Sequence, residues 1–540
     1  MLFWSNIFEK LILLAAFSFG EITTMKNVGN RAVRIERVLF SIAVCACVLV
    51  CNSGLVFAWK PTTHVYLAER ALEDALDNGK VTIERLDPAT GKVVGVIGEY
   101  AVDAAVLEAL KKNPDQYRAG ILGPDAYPDV LTGQQVIHPP TNPDGTNRWL
   151  EYLWSNSDGS PAIKAFVTGY LTHAAGDMYG HTFINNFTGG AFTFKPADNA
   201  KKHILLESYI GKRGPDPTFA ASITGVEDFI YQKMVDARPG TYLDKELLVK
   251  DGEGTDGSIP RVYSTLRAEL EADVVKLTAD AKKCKPWNPK CSAVLLKAEA
   301  KYKKAWIADI DAGLKEWVKT SDSVAKALFF NSEKKTDVDK AQAILDDYVN
   351  KHLISMSGPP DAVGSLAVLS GKVQDIILKA IPDALVEPIK QFKRNLYDVL
   401  IKRATGMSSD ELKRYSSDPE TYFDTEMTKG PGQLITRSTF DTDMLFMKPA
   451  DKTIEYKNVG AAYDTVVMSK LLLLSKDSVN KLMADLGSTN RLEKPDIMLG
   501  FIKTLDGDNQ QAGMILGRDC RSYRQVFMRF AGERICPQTP

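Results

Sequence analysis

Helical periodicity recurs along most of this chain and limits its fold more than any other feature. In the stretch TTHVYLAERALEDAL, residues 62–76, apolar side chains return every three or four positions, the spacing that lines one face of an α-helix. The same period predicts helices over residues 100–113, 161–183 and 199–210. Past residue 260 lysine and alanine become more frequent. Helices are expected there at 262–281, 293–320, 337–356, 365–404 (interrupted near Pro382 and Pro388) and 463–486. Strand-type alternation is scarce. Residues 81–98 carry Pro88, Gly91 and Gly95 and read as a loop with room for a short hairpin; residues 123–147 read as a long ordered loop. The expectation is an all-α chain with a boundary between residues 240 and 262.

The 540 residues are 44% hydrophobic, ample for a buried core, and no internal repeat points to a solenoid. Lys plus Arg is 67 and Asp plus Glu is 68, a net charge of −1, which argues against retention on nucleic acid by bulk electrostatics. Near the start, apolar stretches at 11–19 and 38–51, resuming at 54–58, are each shorter than the roughly 20 residues that span a bilayer. Between them lie Lys26, Arg31, Arg34 and Arg37, and Val56-Phe57-Ala58 resembles a small-residue cleavage site. Residues 1–58 therefore read as an export leader cleaved after Ala58, with Met25 an alternative initiator and an uncleaved anchor the competing reading. The expected destination is the periplasm or the cell exterior. That leader would hold Cys45, Cys47 and Cys51, leaving Cys284, Cys291, Cys520 and Cys536. An even count in an exported chain suggests two local disulfides, Cys284–Cys291 and Cys520–Cys536; in a reducing compartment they would be four free thiols. The prolines of CKPWNPKC forbid a continuous helix between the two segments that it joins.

Five of the six histidines fall between positions 64 and 203. His173, Asp177 and His181 follow one another at four-residue steps, which places all three on one side of a helix, and His203 and Glu207 repeat the step on the next. Imidazoles and carboxylates held on fixed helices are a common zinc ligand set. Asp125 in ILGPDAYPD, His138 and His64 are further candidates. Trp59, which cleavage would expose, adds a free amine and a carbonyl able to chelate a metal. Satisfied core histidines in a helical bundle are the competing account. His352 stands apart and reads as structural or surface. Asp129 could support a ligand or cap its loop, and Asn186 in NFT matches a glycosylation sequon but reads more simply as a turn.

The ordered series Trp59, His64, Asp125, His138, His173, Asp177, His181, His203 and Glu207 resembles the zinc-dependent phospholipase C family. Its wider superfamily includes the three-zinc single-strand nucleases. The phrase THVYLAERAL also resembles the start of phospholipase C/D domains. The resemblance covers about residues 59–207 and implies an all-α bundle with up to three zinc ions. One would sit on Asp125, His138, His173 and Asp177, and a second on His181, His203 and Glu207. The third would take the Trp59 amine and carbonyl with His64 and a bridging Asp177. Asp125 would orient or deprotonate a water, ligate zinc, or do both. The gap from Asp177 to His181 is shorter than in better-known members, so His181 would be presented a turn early or the helix distorted. The Trp59–His64 spacing is nearer the nuclease branch, whereas Glu207 and the Gly-Pro-Asp loop point to the lipase.

The implied organisation is a leader at 1–58, a catalytic region at 59–250 and a mainly helical region at 260–540 that the resemblance does not reach. The implied activity is phosphodiester cleavage of phospholipids, with a membrane surface as partner, no nucleic acid and no obligate protein partner. Single-strand nuclease or 3'-nucleotidase activity, D-type cleavage, and a metal-stabilised helical binding protein without turnover are the alternatives. The apolar run at 466–474, the mixed segment 376–402 and the basic turn with Trp287 could each meet a membrane; core packing, or a solvated turn for the last, is the plainer account.

Overall fold

Asp103 caps a helix where periodicity alone would continue one: its side chain accepts hydrogen bonds from the backbone N–H groups of Ala105 and Val106. Helix α2 (Ala104–Lys112) therefore starts later than expected. Tyr100 lies instead in strand β2 (Val93–Ala101), paired antiparallel with β1 (Lys80–Leu86). The hairpin for which this segment had room is thus present, and it is longer than expected. Its Val- and Ile-rich strands suit a pleated surface, and two register shifts accommodate its irregular pairing.

The computed structural model describes residues 60–86, 93–128, 133, 145–188, 197–213, most of 220–248, 259–285, 291–329, 338–348, pieces of 408–454, and 461–487. Of these residues 76% are helical and 7% lie in strands, so the all-α class holds. The expectations for the leader, Trp59, Asp129, His138, Trp287, His352, the segment 376–402 and Cys520–Cys536 lie outside the described residues.

Helix α1 (Pro61–Asn78) precedes the hairpin, and α3 (Pro114–Ile121) follows α2 after Asn113. Helix α4 (Gly145–Ser155) begins inside the expected loop. Next come α5 (Pro161–Thr188) and α6 (Ala197–Gly211), both close to expectation. Helix α5 runs past Phe183 to Thr188, so Asn186 is helical rather than in a turn. Further along are α7 (Ile259–Lys283), α8 (Ala293–Phe329), α9 (Val338–Tyr348) and α10 (Pro419–Glu426). Cys284 and Cys291, between α7 and α8, are joined by a disulfide.

The helix expected over 463–486 is two helices, α11 (Ala461–Leu471) and α12 (Lys476–Asp485). Between them Leu474 bridges to Val102, and the Leu473 carbonyl accepts from the Asp103 N–H. Ser475 caps α12 through the Ser478 N–H. A sheet-like contact thus outcompetes the local period. The apolar run that spans this break is buried, in keeping with core packing. Among the described residues no helix is long and apolar enough to cross a membrane.

Helix α5 is the axis of the molecule. Residues 165–181 are all buried, and α1, α2, α3, α6 and α11 pack around them. The approach of α3 is unusually close. A Cβ on Gly120 would run into the Phe166 carbonyl, and one on Gly169 into the Tyr117 carbonyl. Two glycines therefore let the backbones of α3 and α5 touch. Helices α8, α11 and α12 contribute Ile310, Leu314, Val318, Tyr463, Leu471 and Leu482 to the same core cluster as Val65 and Phe166. A second cluster joins Leu67, Phe183 and Leu205 to Phe423 and Val466.

Candidate metal centre

A helix buried on every side has no solvent face for charged residues, yet α5 carries His173, Asp177 and His181 at its middle. Buried charges need a partner or a metal. The four-residue steps put the three side chains in line, and α5 runs unbroken through them. Asp177 Oδ2 lies 3.2 Å from His173 Nε2, and Asp177 Oδ1 lies 3.7 Å from His181 Nε2. The short gap to His181 is thus accommodated without distorting the helix.

Helix α1 delivers His64 to the same point. Its Nε2 is 3.5 Å from Asp177 Oδ1, and its ring stacks on His173 with centroids 4.0 Å apart. One ligand atom from each of His64, His173 and Asp177 fits within a 4.8 Å span. Helix α6 brings the other pair: His203 Nε2 is 3.0 Å from Glu207 Oε1, and the His203 ring centroid lies 5.4 Å from that of His181. Asp125 ends the 3-10 turn Gly123–Asp125 and is buried beside this group. Gly123 has φ of 51°, and a Cβ there would collide with the His173 ring, so the Gly-Pro-Asp turn needs its glycine to reach the site.

Seven of the nine residues singled out in the sequence thus lie together, each at most 4% exposed; the other two, Trp59 and His138, are not among the described residues. The tightest trio, His64, His173 and Asp177, draws on two of the three ligand sets implied by the resemblance, with Asp177 common to both.

The trio fits a metal ion on the chemistry of its donors. His173 Nδ1 is 2.8 Å from the Ile121 carbonyl, to which it donates, leaving Nε2 turned toward Asp177. That backbone contact is a consequence of the glycine-mediated approach of α3. Neither nitrogen of His64, nor His173 Nε2, nor Glu207 Oε1 has a hydrogen-bond partner among the described residues, although all are buried. Buried polar atoms in this state call for an ion or a water.

The electrostatics agree. Burial pulls the His64 imidazole down to about 4, helped by the charge of His173 and opposed by Asp177. Burial would also lower His173, but Asp177, Asp125 and the Ile121 carbonyl together lift it to about 9. Asp177 is held well below the carboxylate range: burial opposes ionisation, but His173, His64 and His181 outweigh it. Burial and then the charge of Asp125 push Glu207 well up, with Lys60 opposing. The pocket therefore demands positive charge, which a divalent cation would deliver to the carboxylates in place of the His173 proton.

Lys60 is the residue that sequence reasoning passed over. Burial lowers its ammonium to about 8 against the pull of Glu207. Its position next to Trp59 was the available signal, and it brings the chain to the Glu207 end of the site.

Helix α8 reaches the site from outside the region of resemblance. Ser321 Oγ is within hydrogen-bond reach of the Ala126 and Pro128 carbonyls. The Tyr127 hydroxyl donates to Asp322 at 2.6 Å, and the Tyr170 hydroxyl of α5 donates to the Tyr127 carbonyl at 3.0 Å. The turn that carries Asp125 is thus held from both sides.

Fold and site together define a mainly helical protein with a buried histidine–carboxylate cluster in which one trio can hold a metal ion. Comparison with known protein families, curated proteins and solved structures finds no match to this chain in any of the three.

Proposed function

We propose that this protein is a zinc-dependent metallohydrolase that cleaves phospholipid phosphodiesters in the manner of a phospholipase C, and that its fold is a variant of that family's helical bundle. One observation carries the reading: His64, His173, Asp177, His181, His203 and Glu207, spread over about 140 positions, are linked by one buried series of close contacts, and the charge of Asp125 acts on both His173 and Glu207. Chance four-residue spacings would not bring α1, α5, α6 and the Gly-Pro-Asp turn to the same place.

In this reading His64, Asp125, His173 and Asp177 would hold metal at one end of the cluster, and His181, His203 and Glu207 would hold it at the other. Bound zinc supplies positive charge against the phosphodiester oxygens and lowers the pKa of a water to about 7. Asp125 would orient the attacking water and take its proton on the carboxylate, and the proton would pass to the diacylglycerol oxygen as its bond to phosphorus breaks; its turn is braced for this by Tyr127, Ser321 and Asp322. Ile121 fixes the His173 ring so that Nε2 and not Nδ1 faces the cluster. The products would be diacylglycerol and a phosphorylated headgroup. Export, with release of a Trp59 amine, belongs to the same proposal.

The test is product analysis on mixed phospholipid vesicles with zinc-loaded protein beginning at Trp59, with and without a chelator. Chelator-sensitive diacylglycerol and phosphorylated headgroup are the expected result. Phosphatidic acid would move the assignment to D-type cleavage. No lipid product would sink the proposal and make single-stranded nucleic acid the next substrate.

The burial of all seven side chains favours a second reading, a metal-stabilised helical protein without turnover, because structural sites are closed by protein ligands. Zinc bound at full stoichiometry with no hydrolysis of lipid or nucleic acid would select it.

A further inference from the structure

Helices α7 and α8 form an antiparallel pair that is anchored at one end and, among the described residues, bare at the other. Leu270, Ile310, Leu314 and Val318 join the main core. Toward the disulfide, Val274, Leu277, Ala281 and Ala300 are buried yet belong to neither core cluster, so this end buries chiefly the seam between its own two helices. The Cys284–Cys291 bridge holds the helix ends together, with Cα atoms 5.5 Å apart.

The bare end has an unusual surface. Lys282, Lys283 and Lys285 are exposed on one arm, and Lys297 and Lys301 on the other. Residues 282–301 hold six lysines and a single acid, Glu299, in a chain whose net charge is −1. Beside these cations, aliphatic side chains face solvent: Val294 is 76% exposed and Leu295 70%. A solvated charge run explains the lysines but not Val294 and Leu295, which lie in the first turn of α8 among them.

We propose that this tip docks on an anionic phospholipid bilayer, its lysines against the headgroups and Val294 and Leu295 in the interface. Cationic side chains bind the negative surface of such a bilayer, and adjacent aliphatic groups gain by leaving water at the acyl boundary. Nucleic acid would satisfy the lysines but would leave the aliphatic pair in water, so a bilayer matches both halves of the surface. The tip is separate from the metal cluster, and its docking does not depend on the phosphodiesterase reading.

The experiment is sedimentation of the full chain with phosphatidylcholine vesicles, with and without phosphatidylglycerol, at low and high salt. A parallel assay uses a single-stranded oligonucleotide. Binding is expected only when phosphatidylglycerol is present, and it should weaken with salt. The combined substitution Lys282→Glu, Lys283→Glu, Lys285→Glu should weaken it at least about tenfold. Replacing Val294 and Leu295 with Asn should weaken it at low salt while leaving the lysines in place. Asp177→Asn should bind vesicles like the parent, which separates docking from turnover. Vesicle binding unchanged by both tip variants would overturn the proposal. So would oligonucleotide binding that depends on the lysines with no binding to anionic vesicles.

Discussion

Asp177 meets three imidazoles, from α1 and from the turns of α5 before and after it. Asp177→Asn keeps the size of the side chain but removes the charge and one ligand oxygen. Zinc affinity should fall at least about a hundredfold, since loss of mere supporting contacts around a metal already costs 10–100-fold; titration calorimetry on the metal-free protein measures it. Gly120 acts on the same site at one remove. Gly120→Ala forces α3 away from the Phe166 carbonyl and moves the Ile121 carbonyl off His173. It should cost about 1–3 kcal/mol in a denaturant titration and weaken zinc binding with it. The four-residue steps were legible because helix geometry alone puts such residues on one face. The role of Gly120 was not, because it depends on which helix passes within contact distance.

At the scale of elements, α8 braces the turn that carries Asp125. Tyr127→Phe leaves Asp322 Oδ1 short of a donor, while Lys326 still donates to the other oxygen, Oδ2, at 2.9 Å. The expected loss is about 1–3 kcal/mol of stability by thermal or chemical denaturation, together with a lower kcat at unchanged KM if Asp125 is the proton acceptor. Helix α12 is tied to β2 by Tyr100, whose hydroxyl donates to Asp485 at 2.8 Å. Lys481 first, and Tyr100 with it, hold the Asp485 carboxyl below its usual range. A depressed carboxylate stabilises the fold fully above its unfolded pKa, and the contribution is lost as pH falls through the lowered value. Asp485→Asn should therefore flatten part of the acid limb of the stability profile and leave neutral pH less stable. Sequence periodicity located α5, α6, α7 and α8 closely. It missed the α11–α12 break because the Leu473 and Leu474 backbones bond to Val102 and Asp103, more than 300 residues away.

For the molecule as a whole, α11 lies against α1 and α5 and is buried along most of its length. Truncation after residue 455 would strip cover from the helix that holds His173, Asp177 and His181. The shortened chain should show no cooperative melt by circular dichroism, although every residue of the cluster remains. Metal should act globally as well. Zinc at about 100 times its dissociation constant adds about 2.7 kcal/mol to the folded state, so the melting temperature should rise on zinc addition and fall on chelation. A melting temperature indifferent to both would argue against a metal in this cluster.

Local chemistry in the chain already specified the helical class, the helices that carry the ligands, and the alignment of His173 with Asp177 and His181 and of His203 with Glu207, because each depends on a repeat of three or four residues. Convergence of those faces is another matter. It rests on the glycine contact between α3 and α5, the bracing of the Asp125 turn by α8, and the insertion of α11, all of which join residues far apart along the chain. A periodic pattern says which side of a helix turns inward; only packing determines what it meets there.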